Sequence, residues 1–384
     1  MKYVFLVWSG MWRKRTRALL ILLQVTVAFT LFGVLQGLDT GINQAIARTH
    51  ADRMYVMSRV SGGGGYGDLL PYALTSQIER VPGVKAVTYE TGLGGIYQKP
   101  DQQVAAQGVD AASFARIFPE IVIPPDALAA LTRTRTGAIV GQQLAQRYGW
   151  KVGQRIPIQS PLTRRDGSNN WTFDIVGTFT EPQDPDAANF LLANYDYLNE
   201  ARAANRDTVS DFVVQINDPK RSASIGHTID QLFDNSPHET RTMTEANLLS
   251  NQVQRIGDIG FLTHAVTAAA FFALLFATGT LMMQTIRERT PELAVLKTVG
   301  FADQRVMSLI LAEALFSCVL GASIGLAIAA LLLPRARAFI GLGYLPRIVV
   351  AAAFACAIVL ALLSGAIPAW RGMKLQVATA LGRR

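Results

Sequence analysis

The chain has 384 residues, half of them hydrophobic and 17% charged, with a net charge of +8 and two cysteines. The apolar excess is concentrated in a few runs where a soluble core would spread it, and many basic residues flank those runs, unlike the single basic face of a nucleic-acid binder. Cys318 and Cys356 both fall inside apolar runs, the setting of small hydrophobes and not of a disulfide or metal site.

Residues 1–17 mix Tyr3, Phe5, Leu6, Trp8 and Trp12 with Arg13, Lys14, Arg15 and Arg17. Aromatics suit headgroup depth and basic side chains the water beside it, so an interfacial helix on the cytosolic face is expected. Residues 18–38 follow, 21 positions without a charge, long enough to span a bilayer. A cleaved signal peptide is the rival reading, but the apolar core is too long for one and the small-x-small site near Ala45 comes late.

The next 220 residues, 39–258, alternate strand and helix signals and suffice for two small subdomains. Residues 39–48 are expected to prolong the first span as a stalk helix, and 244–258 to feed as a second stalk straight into the next span. Between them, 49–97 and 206–243 each read as a strand, helix, strand unit, with elements at 51–60, 71–81 and 84–89 and at 211–216, 225–233 and 239–243. Residues 98–205 read as an inserted subdomain, with a strand entering a helix over 137–148 and strands at 155–159 and 171–179. The run Gly62 to Gly65 is expected to be a loop and not a phosphate cradle, because no Gly-Lys-Ser/Thr follows it.

Three further apolar runs, 259–286, 306–333 and 348–367, complete four spans. The short segments 1–17, 287–305 and 368–384 hold thirteen basic residues, whereas 334–347 holds three. That bias places the first three segments and both termini in the cytosol, the turn 334–347 outside, and 39–258 outside as well. The expected fold class is an α-helical membrane protein with four transmembrane helices and a large α+β extracytoplasmic domain of two subdomains inserted between the first and second.

Residues 287–305 carry a helix signature between two spans. Thr290 suits the N-cap, Pro291 the first helical position, Glu292 the positive end of the dipole, and Gly300 the left-handed stop. Leu293, Leu296 and Val299 recur at helical spacing, which predicts about nine residues, or roughly 13 Å of helix. A piece of that size fits the groove of a partner.

Arg287, Glu288, Arg289, Glu292, Leu293, Ala294, Val295, Leu296, Lys297 and Gly300 resemble the cytosolic loop of the FtsX/MacB-like ABC transporter permeases, the membrane subunits of type VII ABC transporters. A second match lies in Val140-Gly141, Leu144-Ala145, Lys151-Val152-Gly153, Phe173, Val176-Gly177 and Phe179, which resemble the family's periplasmic pattern. A third, Ile367-Pro368-Ala369-Trp370-Arg371 with Val377 to Leu381, is similar to the family's closing pattern, departing from it at Ile367, where an aromatic is usual, and Gln376, where a proline is.

The resemblance implies that Arg287, Glu288, Arg289, Glu292, Leu293, Leu296, Lys297 and Gly300 contact an ABC ATPase. No Gly-x-x-x-x-Gly-Lys-Ser/Thr is present, so the ATPase is expected to be a separate polypeptide, with ATP and Mg held there and no cofactor on this chain. It further implies a multi-pass protein of the bacterial inner membrane, paired with an identical or related permease. ATP-driven movement of its periplasmic domain would export a substrate through a periplasmic adaptor and an outer-membrane channel. The alternatives within the family are an FtsX-like regulator of a cell-wall hydrolase and a lipoprotein-extracting permease.

Within the spans Gln24, His264 and Glu313 stand out as polar, and structural or orienting roles are expected for them. Glu313 matches a Glu common at this point of the family's third helix. Gly33 with Gly37, and Gly321 with Gly325, have the spacing of close helix contact, within one subunit or across a dimer. The four histidines show no metal-ligand spacing and no serine or cysteine sits in a nucleophile motif, so neither a catalytic nor a metal site is expected and the chain reads as no enzyme.

Overall fold

The computed structural model describes residues 15–60, 68–185, 188–298, 302–340 and 345–373. The expected interfacial helix up to residue 14, the glycine run 62–65, Gly300 and the tail from 374 lie outside the described residues. The chain divides into two compact units, one of residues up to 45 and from 253 onward, the other of residues 46–252. It opens with α1 (Arg15–Ala47), a single helix that includes both the expected span and the expected stalk.

The unit of 46–252 begins with β1 (Arg53–Ser58), β2 (Leu70–Pro71), α2 (Thr75–Glu79) and β3 (Val84–Gly92). There follow β4 (Gly95–Ile96), β5 (Gln103–Val109), α3 (Ala111–Ile117), α4 (Pro125–Arg133), β6 (Gly137–Gly141), α5 (Gln142–Tyr148), β7 (Arg155–Gln159), β8 (Asn170–Phe179), β9 (Phe190–Asn194) and α6 (Tyr195–Ala201). The chain returns through β10 (Thr208–Val209), β11 (Asp211–Ile216), α7 (Ser222–Phe233), β12 (Thr240–Thr244) and α8 (Glu245–Ile256). The helix expected over 71–81 is a 3-10 turn, Tyr72–Leu74, followed by the short α2, because Pro71 still pairs as part of β2.

Among the described residues ten strands form one sheet in the order β12-β1-β11-β3-β5-β4-β7-β8-β6-β9. In its first four strands the two expected units interleave, β1 of the first lying between β11 and β12 of the second. This is the split βαβ arrangement of ferredoxin-like domains. One face holds Met54, Val56, Val87, Phe212 and Val214 under α2 and α7.

The inserted part has a core of its own but shares the sheet with the first four strands. β5 pairs with β3 on one side and in parallel with β9 on the other, so six strands, β5-β4-β7-β8-β6-β9, close into a ring. The strict alternation of β8 turns Trp171, Phe173 and Ile175 inward, where they meet Ile156, Ile158 and Leu191. Trp171 satisfies its one donor on the carbonyl of Leu162 at 2.7 Å. The boundary expected at residue 98 is therefore bridged by hydrogen bonds of the shared sheet.

The other unit contains α1 with α9 (Ile259–Glu288), α10 (Thr290–Thr298), α11 (Asp303–Ile340) and α12 (Arg347–Met373). Among the described residues four helices are long and apolar enough to cross a membrane, over 18–47, 260–288, 303–334 and 347–371. Their core sets Val25 and Phe29 of α1 against Ala314, Cys318 and Ala322 of α11 and Ala353, Ala357 and Ala361 of α12. Small residues dominate because dispersion gain in an apolar solvent depends on close backbone approach.

Two boundaries differ from expectation. The outer turn expected over 334–347 begins as helix, since α11 continues past Pro334 to Ile340. The second stalk does not feed straight into its span. α8 ends at Ile256, Gly257 takes φ +126°, and Asp258 starts a new helix by accepting from the amide of Phe261 at 2.9 Å. Glycine tolerates that backbone where other residues do not.

Candidate functional site

The segment between α9 and α11 is built from three short-range devices. α9 closes at Glu288, with the amide of Arg289 donating to the carbonyls of Thr285 and Ile286 at 3.1 Å each. Thr290 does not act as the expected N-cap acceptor. It is already the first residue of α10, and its hydroxyl donates 3.1 Å to the carbonyl of Ile286, because one residue separates the two helices and that carbonyl in the last turn of α9 lies within reach. α10 then runs nine residues. Ala294 is buried and Val295 faces outward.

Both ends of α10 are fastened to neighbouring helices. At its start Arg289 donates to Glu313 of α11 at 2.8 Å, and the two side chains are only 25% and 17% exposed. At its end Lys297 donates to Asp303 at 2.7 Å and to the carbonyl of Met373 at 2.6 Å. Lys297 thereby occupies the last turn of α10, where a cation is favoured, and reaches the first turn of α11, where Asp303 is favoured. Beneath them Ile286, Val306, Ile310 and Ala369 form a small apolar cluster joining α9, α11 and α12.

Of the residues singled out in the sequence, Arg287 and Glu288 are exposed at the end of α9. Glu292, Leu293 and Leu296 lie on α10 with side chains outside the described residues, and Gly300 lies wholly outside them. Glu313 finds its arginine in Arg289. Gln24 donates to Thr278 at 3.1 Å, linking α1 to α9, whereas His264 is exposed on α9.

Gly321 and Gly325 meet α1 of the same chain. A Cβ on Gly321 would lie 2.6 Å from Cγ1 of Val25, and one on Gly325 2.6 Å from the carbonyl of Thr26. Gly33 approaches Ala329 in the same way, at 2.7 Å. The hydroxyl of Thr30 donates to the carbonyl of Gly325 at 3.2 Å. Packing inside one subunit thus uses these glycines, the choice that spacing left open.

Sequence reasoning missed a clamp in the unit of 46–252. Arg53, 3% exposed at the start of β1, donates to Glu120 at 2.8 Å, to Glu245 at 3.3 Å and to the carbonyl of Ile117 at 2.8 Å. Its guanidinium lies 4.1 Å over the ring of Phe118. Burial lowers its pKa, but the hydrogen bond to Glu120 and the charges of Glu245 and Glu120 outweigh that, and it is held above its ordinary value. Glu245, the first residue of α8, also accepts from the amide of His50 at 3.1 Å, so one side-chain group ties down the segments by which the chain enters and leaves this unit. Beside it Glu181 is pushed up to about 7 by burial, with Asp184 and Glu120 adding to the shift. An arginine opening an otherwise apolar strand was the available signal.

A model of the MacB-like periplasmic core domain matches residues 18–232, and one of the FtsX-like permease C-terminal part matches residues 265–377. Among solved structures, the periplasmic region of MacB from Actinobacillus actinomycetemcomitans is 11% identical with a TM-score of 0.40, over 56% of this chain and 97% of that one. The extracellular domain of the noncanonic ABC-type transporter YknZ from Gram-positive bacteria is 12% identical with a TM-score of 0.36, over 50% of this chain and 100% of that one.

Proposed function

The chain belongs to the FtsX/MacB-like family of ABC transporter permeases, and on that premise we propose that it transmits the closing motion of a separate ATPase to its periplasmic domain. The observation that carries this reading is the double fastening of α10, by Arg289 to Glu313 and by Lys297 to Asp303 and Met373. A helix held at both ends moves its neighbours when a partner moves it. An ATPase seated on α10 would displace α11 and α12, and the packing of Gly321 and Gly325 on α1 would pass that displacement to the first span. The chain's termini lie in the cytosol in this reading, two permeases stand on two ATPases, and the substrate leaves through a periplasmic adaptor and an outer-membrane channel.

Purification of the chain from its native membrane, with identification of what accompanies it by mass spectrometry, tests the assignment. An ATPase with a membrane-fusion adaptor supports export. An ATPase with a peptidoglycan hydrolase or a lipoprotein chaperone keeps the family and changes the task, and no ATPase removes the coupling role from α10. Within the reconstituted complex, Glu292→Lys with Leu296→Asp is expected to leave the protein inserted while transport is lost; unchanged transport refutes the seat on α10.

A further inference from the structure

A cleft of about 450 Å³ opens on the sheet beside α8, lined by Glu90 of β3, Asp211 of β11, Glu245 of α8 and Tyr55 of β1. Leu248 and Leu249 of α8 form part of the same wall. Glu90 and Asp211 are direct cross-strand partners, so their side chains leave the sheet on the same face as neighbours. Glu90 is 7% exposed, and among the described residues no group donates a hydrogen bond to either carboxylate. The oxygens of Glu245, by contrast, are taken by Arg53 and the amide of His50.

Two adjacent carboxylates without donors, one buried and the other partly exposed, are costly as a pair of anions. Burial holds the Glu90 carboxyl well above its ordinary range, with Asp211 and Glu245 adding to the shift and Arg53 opposing it. Burial likewise pushes Asp211 up to about 7. The charged and titratable groups around the pair are Arg53 and Tyr55 on β1 and Glu245 on α8. The pair therefore keeps a proton until a cation replaces it. A metal ion does not suit, because the described residues hold no group of three His, Cys, Asp or Glu side chains arranged to bind one. An ammonium group brings three donors for two carboxylates, and a hydrocarbon attached to it has a wall to lie against.

We propose that this cleft binds an organic ammonium ion, with its nitrogen between Glu90 and Asp211 and its hydrocarbon along Leu248 and Leu249. The site exchanges one cation for one proton: as the ammonium enters, a carboxyl releases its proton to solvent. The proposal requires neither ATP coupling nor export, so it stands or falls apart from the function proposed above.

Calorimetric titration of the full chain in lipid nanodiscs with n-butylammonium, and with n-butanol as the uncharged control, tests it. The expected result is saturable binding of the ammonium alone, tightening between pH 5.5 and 8 with release of up to one proton per ligand. Binding is expected to weaken at least tenfold in the Glu90→Gln, Asp211→Asn double variant, which removes buried charge and so should fold. Tighter binding of a lysine-containing peptide than of butylammonium assigns the ammonium to a partner protein, and the reverse order assigns it to a small molecule. The proposal is overturned by absence of saturable binding, by equal binding of butanol, by an affinity independent of pH, or by an affinity unchanged in the double variant.

Discussion

The two units treat several of their polar groups differently, although the buried hydroxyl of Thr267 on α9 has no hydrogen-bond partner among the described residues. In the helical unit Gln24, Thr26, Thr30 and Glu313 each have a partner outside their own helix, at 2.8 to 3.4 Å. In the unit of 46–252 the same chain leaves Glu90 and Asp211 side by side without a donor among the described residues, while one arginine nearby collects two carboxylates and a carbonyl. The difference follows from the solvent. Lipid offers no hydrogen bonds, so an unmet polar group inside a span has no fallback, whereas a cleft open to water lets a carboxyl hold a proton or wait for a cation.

The largest expected effect tests the arginine. Arg53→Met leaves Glu120 and Glu245 facing a buried apolar side chain, and breaking such a pair costs about 3–5 kcal/mol. Chemical denaturation of the full chain in detergent should show that loss as an earlier transition of the aqueous unit; an unchanged midpoint would mean the clamp is ornamental.

The helical unit is tested by its glycines. Gly325→Ala puts a methyl 2.6 Å from the Thr26 carbonyl, and overpacking of this kind costs about 1–3 kcal/mol. Gly279 has nothing closer than 3.7 Å, so Gly279→Ala should be neutral or stabilise by roughly 0.5–1 kcal/mol through helix propensity. Thermal unfolding in the same detergent compares them, and equal shifts would contradict packing through α1.

The smallest effect sharpens the contrast between satisfied and unsatisfied carboxyls. With folded pKa values raised, Glu90 and Asp211 retain protons that the unfolded chain has already lost. Their stabilising contribution is full below the unfolded pKa near 4 and is lost as pH rises through about 7, the value to which Asp211 is pushed. Urea midpoints of the full chain between pH 5 and 7.5 should fall, and the fall should be shallower in Asp211→Asn. A parallel slope in that variant would assign the pH dependence to other groups.

Run length, charge bias and helix punctuation are properties of neighbouring residues, and they sufficed for the four apolar helices, for α10 and for most strands. They did not reveal that Thr290 would serve the helix before it, nor that Gly257 would interrupt the second stalk, because each outcome depends on how closely two helices follow one another. The pairing of β5 with β9, the approach of Arg53 to Glu245 across 192 residues, and the setting of Glu90 opposite Asp211 were decided by tertiary structure alone. The sequence by itself determined the four apolar helices, α10 and most of the strands, and which segments are apolar enough for lipid. Which strands become neighbours, and so which charges meet, is fixed only when the sheet closes, since register links residues whose separation along the chain carries no local signal.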